Sequence, residues 1–165
     1  QANKALVDAV SDMEGVAVFN LYELSQEIAF NIDEWSKIIS DASAVIYQFP
    51  FYWMSAPSLL KKWQDEVFTF LSKTPAVAGK PLTVVTTTGS EYEAYRSGGR
   101  NRFTTDELLR PYQVSAIHSG MSWQTPIVVY GMGTADAGKN IAEGANLYKQ
   151  RVEMLIGSSN AGNNW

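Results

Sequence analysis

The chain contains no cysteine, which excludes a disulfide framework, a thiol nucleophile and a cysteine metal site in one stroke, and fits a reducing cytoplasm. Histidine is nearly absent too. His118 is the one example, and no partner stands at ligand spacing from it, so a metal centre of the usual histidine type is not expected. Ser-His-Asp hydrolysis is disfavoured for the same reason, because no Gly-x-Ser-x-Gly elbow occurs anywhere in the sequence. Positive charge is also scarce: the net charge of −4 and the lack of a concentrated basic face exclude nucleic acid as a partner. An anionic cofactor is not excluded, since backbone N–H groups hold anions locally. Long apolar runs are missing as well. The least polar stretch, 42–57, is interrupted by Gln48 and Pro50 and falls short of the ~18 apolar residues of a membrane span. No signal peptide is visible, and because the chain opens on Gln1 rather than methionine its natural start is expected to lie further upstream.

What is present is globular in composition: 165 residues, 45% hydrophobic and 18% charged, enough for one domain with a substantial core. Apolar spacing predicts a helix over 3–13, a strand over 16–21, a helix over 33–42 capped by Asp33, and a strand over 44–49. A helix opened by Pro57 follows, with Leu59, Leu60, Trp63, Val67 and Leu71 turned inward, then a strand over 82–88. Residues 90–104 read as a long polar loop. The region 105–120 reads as a helix capped by Thr105, kinked at Pro111, with Leu108, Leu109, Tyr112 and Ile117 buried. A strand over 126–130 and an amphipathic helix over 136–156, stopped by Gly157, complete a domain of residues 1–157, with 158–165 as a loose tail. Strands alternating with helices predict a parallel sheet covered on both faces. A doubly wound domain starts on its central strand, so the first strand and the turn after it are expected to precede Gln1.

The chain is organised around 45–63, where an apolar strand runs through an aromatic loop into a helix. Pro50, Phe51, Tyr52, Trp53 and Met54 form that loop, at the carboxyl edge of the sheet where open α/β folds bind ligands. Three successive aromatics either plug the core or a subunit contact, or wall a pocket for a flat conjugated ligand. The next strand favours the second reading. It ends in Thr86, Thr87, Thr88, Gly89 and Ser90, whose hydroxyls and close-approaching backbone would give the slot a polar rim. Near the end of its helix, His118 reads as structural. Arg96, Arg100 and Arg102 read as a solvated loop or as contacts for a pyridine nucleotide's phosphates.

At these residues the chain resembles the NAD(P)H:quinone oxidoreductase family of flavodoxin-like flavoproteins. The resemblance rests on Gln48-Phe49-Pro50-x-x-Trp53-x-x-x-Pro57-x-x-Leu60-Lys61-x-Trp63-x-Asp65-x-Val67-Phe68 and on Thr87-Thr88-Gly89 followed by Tyr95. Leu21-Tyr22, Asn101-Arg102-Phe103, Glu107 to Pro111 and Tyr148-Lys149-x-Arg151 resemble the smaller bacterial branch of general stress proteins and ancillary subunits of glutathione-gated potassium efflux systems. The similarity covers essentially residues 3–156. It implies a flavodoxin-like doubly wound sheet of order 2-1-3-4-5 that binds FMN, with FAD as the alternative. It further implies two-electron, ping-pong hydride transfer from NAD(P)H to quinones or similar acceptors. Pro50 to Met54 would lie against the flavin ring, Thr87 to Ser90 would meet its pyrimidine end, and Tyr95 would place its hydroxyl near a ring carbonyl. Tyr95 and Gly89 would stabilise charge on the reduced ring. Asn3 would close the phosphate loop. Ser90 replaces the family's usual second glycine, and Asn101 stands at about the distance of a histidine found in its mammalian members. A homodimer in the cytoplasm is implied. Two other roles in keeping with the resemblance are a regulatory subunit of a membrane potassium-efflux protein and an electron-carrying flavodoxin.

Overall fold

The computed structural model describes residues 1–24 and 29–162. At its centre is a parallel sheet whose strands are β1 (Val45–Pro50), β2 (Pro81–Thr87), β3 (Ser122–Trp123) and β4 (Ile127–Val129). β1 pairs with one edge of β2 from Val45↔Leu82 to Pro50↔Thr87. β3 and β4 share the other edge, through Leu82↔Trp123 and Val85↔Ile127. The described strands thus follow chain order across the sheet.

Side chains alternating along the strands feed two layers. Tyr47, Phe49, Leu82 and Val84 face a core with Trp35, Ile39, Trp63 and Tyr112. Val85, Ile127 and Val129 face a second core with Leu6, Val10, Tyr148 and Val152. Each fully buried aliphatic side chain here contributes about 1.5–3 kcal/mol relative to exposure. The helices are α1 (Ala2–Val10), α2 (Leu21–Leu24), α3 (Ile32–Asp41), α4 (Ser58–Trp63), α5 (Thr69–Leu71), α6 (Thr105–Leu108), α7 (Arg110–His118) and α8 (Ala137–Gly162). α1 and α8 cover the second core. None of the described helices is long and apolar enough to cross a membrane.

Several expectations are corrected. Residues 16–20 form no strand: Val16 packs against the second core and Phe19 lies edge-on to Trp35 at 5.6 Å. Among the described residues no strand lies on the free edge of β1. A β-branched run becomes a strand only where a neighbour supplies the ladder. The first helix stops at Val10, three residues before Met13. α3 is capped by Asn31, whose side chain accepts from the N–H groups of Asp33 and Glu34, so the cap lies two residues before the expected Asp33. The helix after Pro57 is interrupted by a π-helical turn at Gln64–Phe68. That wider turn brings residues five apart onto one side, and Trp63 and Phe68 stack at 6.2 Å.

Further on, the helix expected over 105–120 is two helices. Thr104, not Thr105, is the cap, in a full capping box with Glu107. Pro111 lies in the first turn of α7, where its missing N–H costs nothing, so the break at Leu109 replaces the expected kink. Tyr112 and Leu109 are buried, but Ile117 is 62% exposed. Gly157 does not end the last helix, which continues to Gly162, so the expected loose tail from Ser158 is helical as far as it is described; 163–165 lie outside the described residues.

Candidate functional site

β1 and β2 are adjacent and parallel, so their carboxyl ends deliver the two predicted loops side by side. The junction is direct: the Phe51 N–H donates to the Thr87 carbonyl at 2.9 Å. Beyond it the chain makes a two-residue reversal in which Tyr52 and Ser55 exchange backbone bonds of 2.9 and 3.0 Å. The residues inside that turn are Trp53, at φ 48°, and Met54, at φ 61°. Such a turn favours Asn-Gly; holding two bulky side chains in the left-handed region costs on the order of 1–3 kcal/mol each. Strain of that size persists only where the surroundings enforce it. The exit of the loop is fixed by Tyr112, whose hydroxyl oxygen accepts from the Ala56 N–H at 3.1 Å. The outcome is an indole presented to solvent, Trp53 being 98% exposed, while Phe51 turns inward.

The second loop is pinned from below. The Thr88 N–H donates to the Val129 carbonyl at 2.9 Å, the Thr88 hydroxyl donates to the Ser90 carbonyl at 2.8 Å, and the Gly133 N–H donates to the Gly89 carbonyl at 2.9 Å. Gly133 lets its own loop and this one approach closely, since a Cβ there would lie 3.0 Å from the Gly89 oxygen. A Cβ built on Gly89 instead meets nothing within 4 Å, so the space beside this loop is open. Ser90 is drawn aside: its hydroxyl accepts from Arg100, which also pairs with Glu91 at 3.8 Å.

Tyr95 forms the back wall, in the 3-10 turn Tyr92–Tyr95, buried between Phe51 at 6.2 Å and Tyr130 at 5.9 Å between ring centroids. It thereby joins the aromatic loop to Tyr130, just beyond the end of β4. Tyr130 was not expected here, although it closes the strand predicted over 126–130. Its hydroxyl lies 2.6 Å from that of Thr105, and burial raises its pKa above the ordinary phenol value. The loop after Tyr95 folds back on itself: Asn101 N–H donates to the Ala94 carbonyl at 3.0 Å, and any Cβ on Gly99 would collide with the Glu93 oxygen at 2.2 Å.

Asn3 joins the same cluster from the first turn of α1. Its side-chain Nδ2 donates to the Thr87 hydroxyl at 2.8 Å, and its backbone carbonyl accepts from Gln48 Nε2 at 2.8 Å. Its Oδ1 is buried with no hydrogen-bond partner among the described residues, as is Asn101 Nδ2. An orphan buried acceptor and donor cost about 1–3 kcal/mol each unless something else satisfies them.

Pro50 to Met54, Thr87 to Ser90, Tyr95 and Asn3 are therefore brought together at one edge of the sheet. Of the three arginines, Arg100 is held by Ser90 and Glu91, and Arg96 lies over the Tyr92 ring at 5.4 Å. His118 closes α7, away from the residues gathered at the ends of β1 and β2 in the contacts described. Among the described residues no cluster of His, Asp or Glu is arranged to hold a metal ion. The loops offer a planar apolar surface, backbone donors and hydroxyls. That is equipment for holding a flat ligand rather than for attacking one.

A protein-family model described as flavodoxin-like fold matches residues 1–152. General stress protein 14 of Bacillus subtilis is 35% identical over 156 residues, covering 92% of this chain and 89% of the relative. A protein of the same organism named as an uncharacterized NAD(P)H oxidoreductase, YdeQ, is 34% identical over 157 residues, covering 93% of this chain and 79% of the relative. The glutathione-regulated potassium-efflux system ancillary protein KefG of Serratia proteamaculans is 35% identical over 133 residues, covering 78% and 73%. Among solved structures, a general stress protein 14 from Treponema denticola in complex with FMN superposes with a TM-score of 0.84 at 26% identity, covering 93% of this chain and 90% of that one.

Proposed function

Because the chain belongs to the flavodoxin-like fold family, we propose that it is an FMN-dependent NAD(P)H oxidoreductase, passing two electrons to quinones or similar acceptors. The observation that carries this reading is the juxtaposition of an exposed indole, Trp53, with an open space at Gly89, at the ends of two hydrogen-bonded strands. The relative named as an NAD(P)H oxidoreductase and the FMN complex of a general stress protein 14 support it.

The residues present fit a flavin on physical grounds. Gly89 leaves room for a ring edge, and the N–H groups of Gly89 and Ser90, with no partner among the described residues, are donors for a carbonyl-bearing rim. Asn3 Oδ1 is a buried acceptor awaiting a hydroxyl, and Asn101 Nδ2 a buried donor awaiting an acceptor. When bound, FMN supplies the hydride chemistry. Exposed Tyr52, Trp53 and Met54 would line the face of the ring and keep water from it, buried Phe51 would hold Tyr95 in place at 6.2 Å, and Tyr95 and the Gly89 amide would offset negative charge developing on the ring. No side chain is asked to bond to substrate, which agrees with a chain lacking cysteine.

A homodimer belongs to this proposal. Trp53, Phe103, Val114 and Ile117 expose large apolar side chains of the sort that a second copy covers. Sedimentation of the purified protein is expected to give twice the chain mass, and a monomer at micromolar concentration would refute it. The similarity to the potassium-efflux ancillary protein favours a second reading, a regulatory subunit of a membrane transport protein. Steady-state assay of the full-length protein with FMN, NADH or NADPH and a soluble benzoquinone separates the two. Sustained quinone reduction is expected; tightly bound flavin with turnover at background would leave the regulatory role.

A further inference from the structure

A cavity of about 740 Å³ lies beside the outer edge of β4, between α8 and the segment 92–106. Neither 50–54 nor 87–90 contributes to it, and only Tyr95 and its neighbours are shared with the cleft described above. We propose that this cavity is a second binding site, for a small amphipathic anion: an apolar body carrying one carboxylate, sulfonate or phosphate.

Volume comes first. A cavity of this size is in the ~300–1,000 Å³ range of small-molecule sites, and it has a mixed lining. Pro126, Ile127 and Val128 form an apolar floor, and α8 contributes Leu147 and Met154, two turns apart on one helix face. These are 55% and 65% exposed, so a ligand seated between them would remove apolar surface from water.

Charge comes second. Two guanidinium groups, Arg96 and Arg151, line the cavity against a single carboxylate, Asp106. Arg151 donates to the Thr125 carbonyl at 2.7 Å, which fixes its position and leaves donors over. Arg96 lies on the face of Tyr92 and has no carboxylate within ion-pair distance among the described residues. A planar cation parked on an aromatic ring above an apolar floor is suited to a bidentate anionic head.

The edge itself argues against a partner strand as the occupant. β4 is three residues long. Pro126 has no N–H to offer, and the carbonyls of Thr125 and Tyr130 already accept from Arg151 and Asn140. Little backbone remains to extend the sheet, so the cavity offers its side chains.

The test is amide NMR of the full-length protein as purified, titrated with decanoate and, separately, with decanol. Decanoate is expected to shift 125–130 and 147–154 saturably, and decanol to bind at least about tenfold more weakly, as loss of a charge-assisted bond requires. Arg96→Gln is expected to weaken decanoate by a similar factor, and Met154→Gln, at an exposed position that the fold does not need, to weaken both ligands. The proposal is overturned by non-saturable shifts, by shifts confined to 50–55 and 87–90, or by equal binding of decanol. It also fails if either variant binds as the parent does, or if the same amides broaden with protein concentration alone, which would put a second copy in the cavity. Because the readout is at β4 and α8, its failure leaves the flavin reading standing, and the reverse.

Discussion

Two residues carry the tension of the site. Trp53 and Met54 occupy left-handed backbone in a turn whose geometry calls for Asn and Gly, so the loop forgoes stability to present an indole. Replacing both, Trp53→Asn with Met54→Gly, is expected to raise the denaturation midpoint, because relief of about 1–3 kcal/mol of strain per residue exceeds the roughly 0.5–1 kcal/mol that a new glycine costs in chain entropy, while FMN affinity falls. A loss of stability in the double variant would show that the turn is not strained. The aromatic loop was legible in the sequence because three bulky rings at a strand end are conspicuous. The turn inside it was not, since Trp and Met are among the last residues from which positive φ is inferred. Gly144 was equally hidden. Its position on α8 leaves a virtual Cβ 2.4 Å from Val129 Cγ2, so Gly144→Ala is expected to cost about 1–3 kcal/mol in chemical denaturation, by forcing α8 away from β4. An unchanged midpoint would mean that the helix yields freely.

Elements were legible where their stabilising contacts are local. Helices with clear apolar spacing appear within a few residues of their expected bounds, and their ends differ because caps compete: Asn31 outreaches Asp33, and Thr104 outreaches Thr105. The strand expected at 16–21 failed because pattern supplies a strand's faces but not its neighbour. The capping box at the start of α6 permits a pH test. Thr104 N–H and hydroxyl both donate to Glu107 at 2.8 Å, and these bonds hold its carboxyl below the usual carboxylate range. A depressed folded-state value means the contribution is complete above the unfolded value of about 4.3 and is lost as pH falls through the folded one. Glu107→Ala is therefore expected to lower the unfolding midpoint at neutral pH, with the difference from the parent closing below about pH 4. A difference that persists undiminished in acid would assign it to helix propensity instead. Thr104→Ala, which removes the cap itself, is expected to cost about 1 kcal/mol.

Across the whole molecule, the parallel sheet with helices on both faces was readable from alternation alone, and the meeting of the two loops follows from strand adjacency. What could not be read was anything set by packing between distant elements. The second cavity needs α8, β4 and the 92–106 segment in place at once, and its residues are spaced over more than fifty positions with no local pattern. Tyr130 entered the site for the same reason, through its rings' contacts with Tyr92 and Tyr95.

The central claim is that a planar redox ring occupies the space between Trp53 and Gly89. Gly89 gives the most direct test, because its backbone is not left-handed and a Cβ added there meets nothing within 4 Å. FMN titrated with parent and Gly89→Val protein, followed by flavin absorbance, is expected to give one FMN per parent chain. The variant should unfold at an unchanged midpoint and bind FMN at least about tenfold more weakly, as an added side chain in a ligand's place requires. Equal FMN binding by the two proteins would place the ring elsewhere and contradict the account.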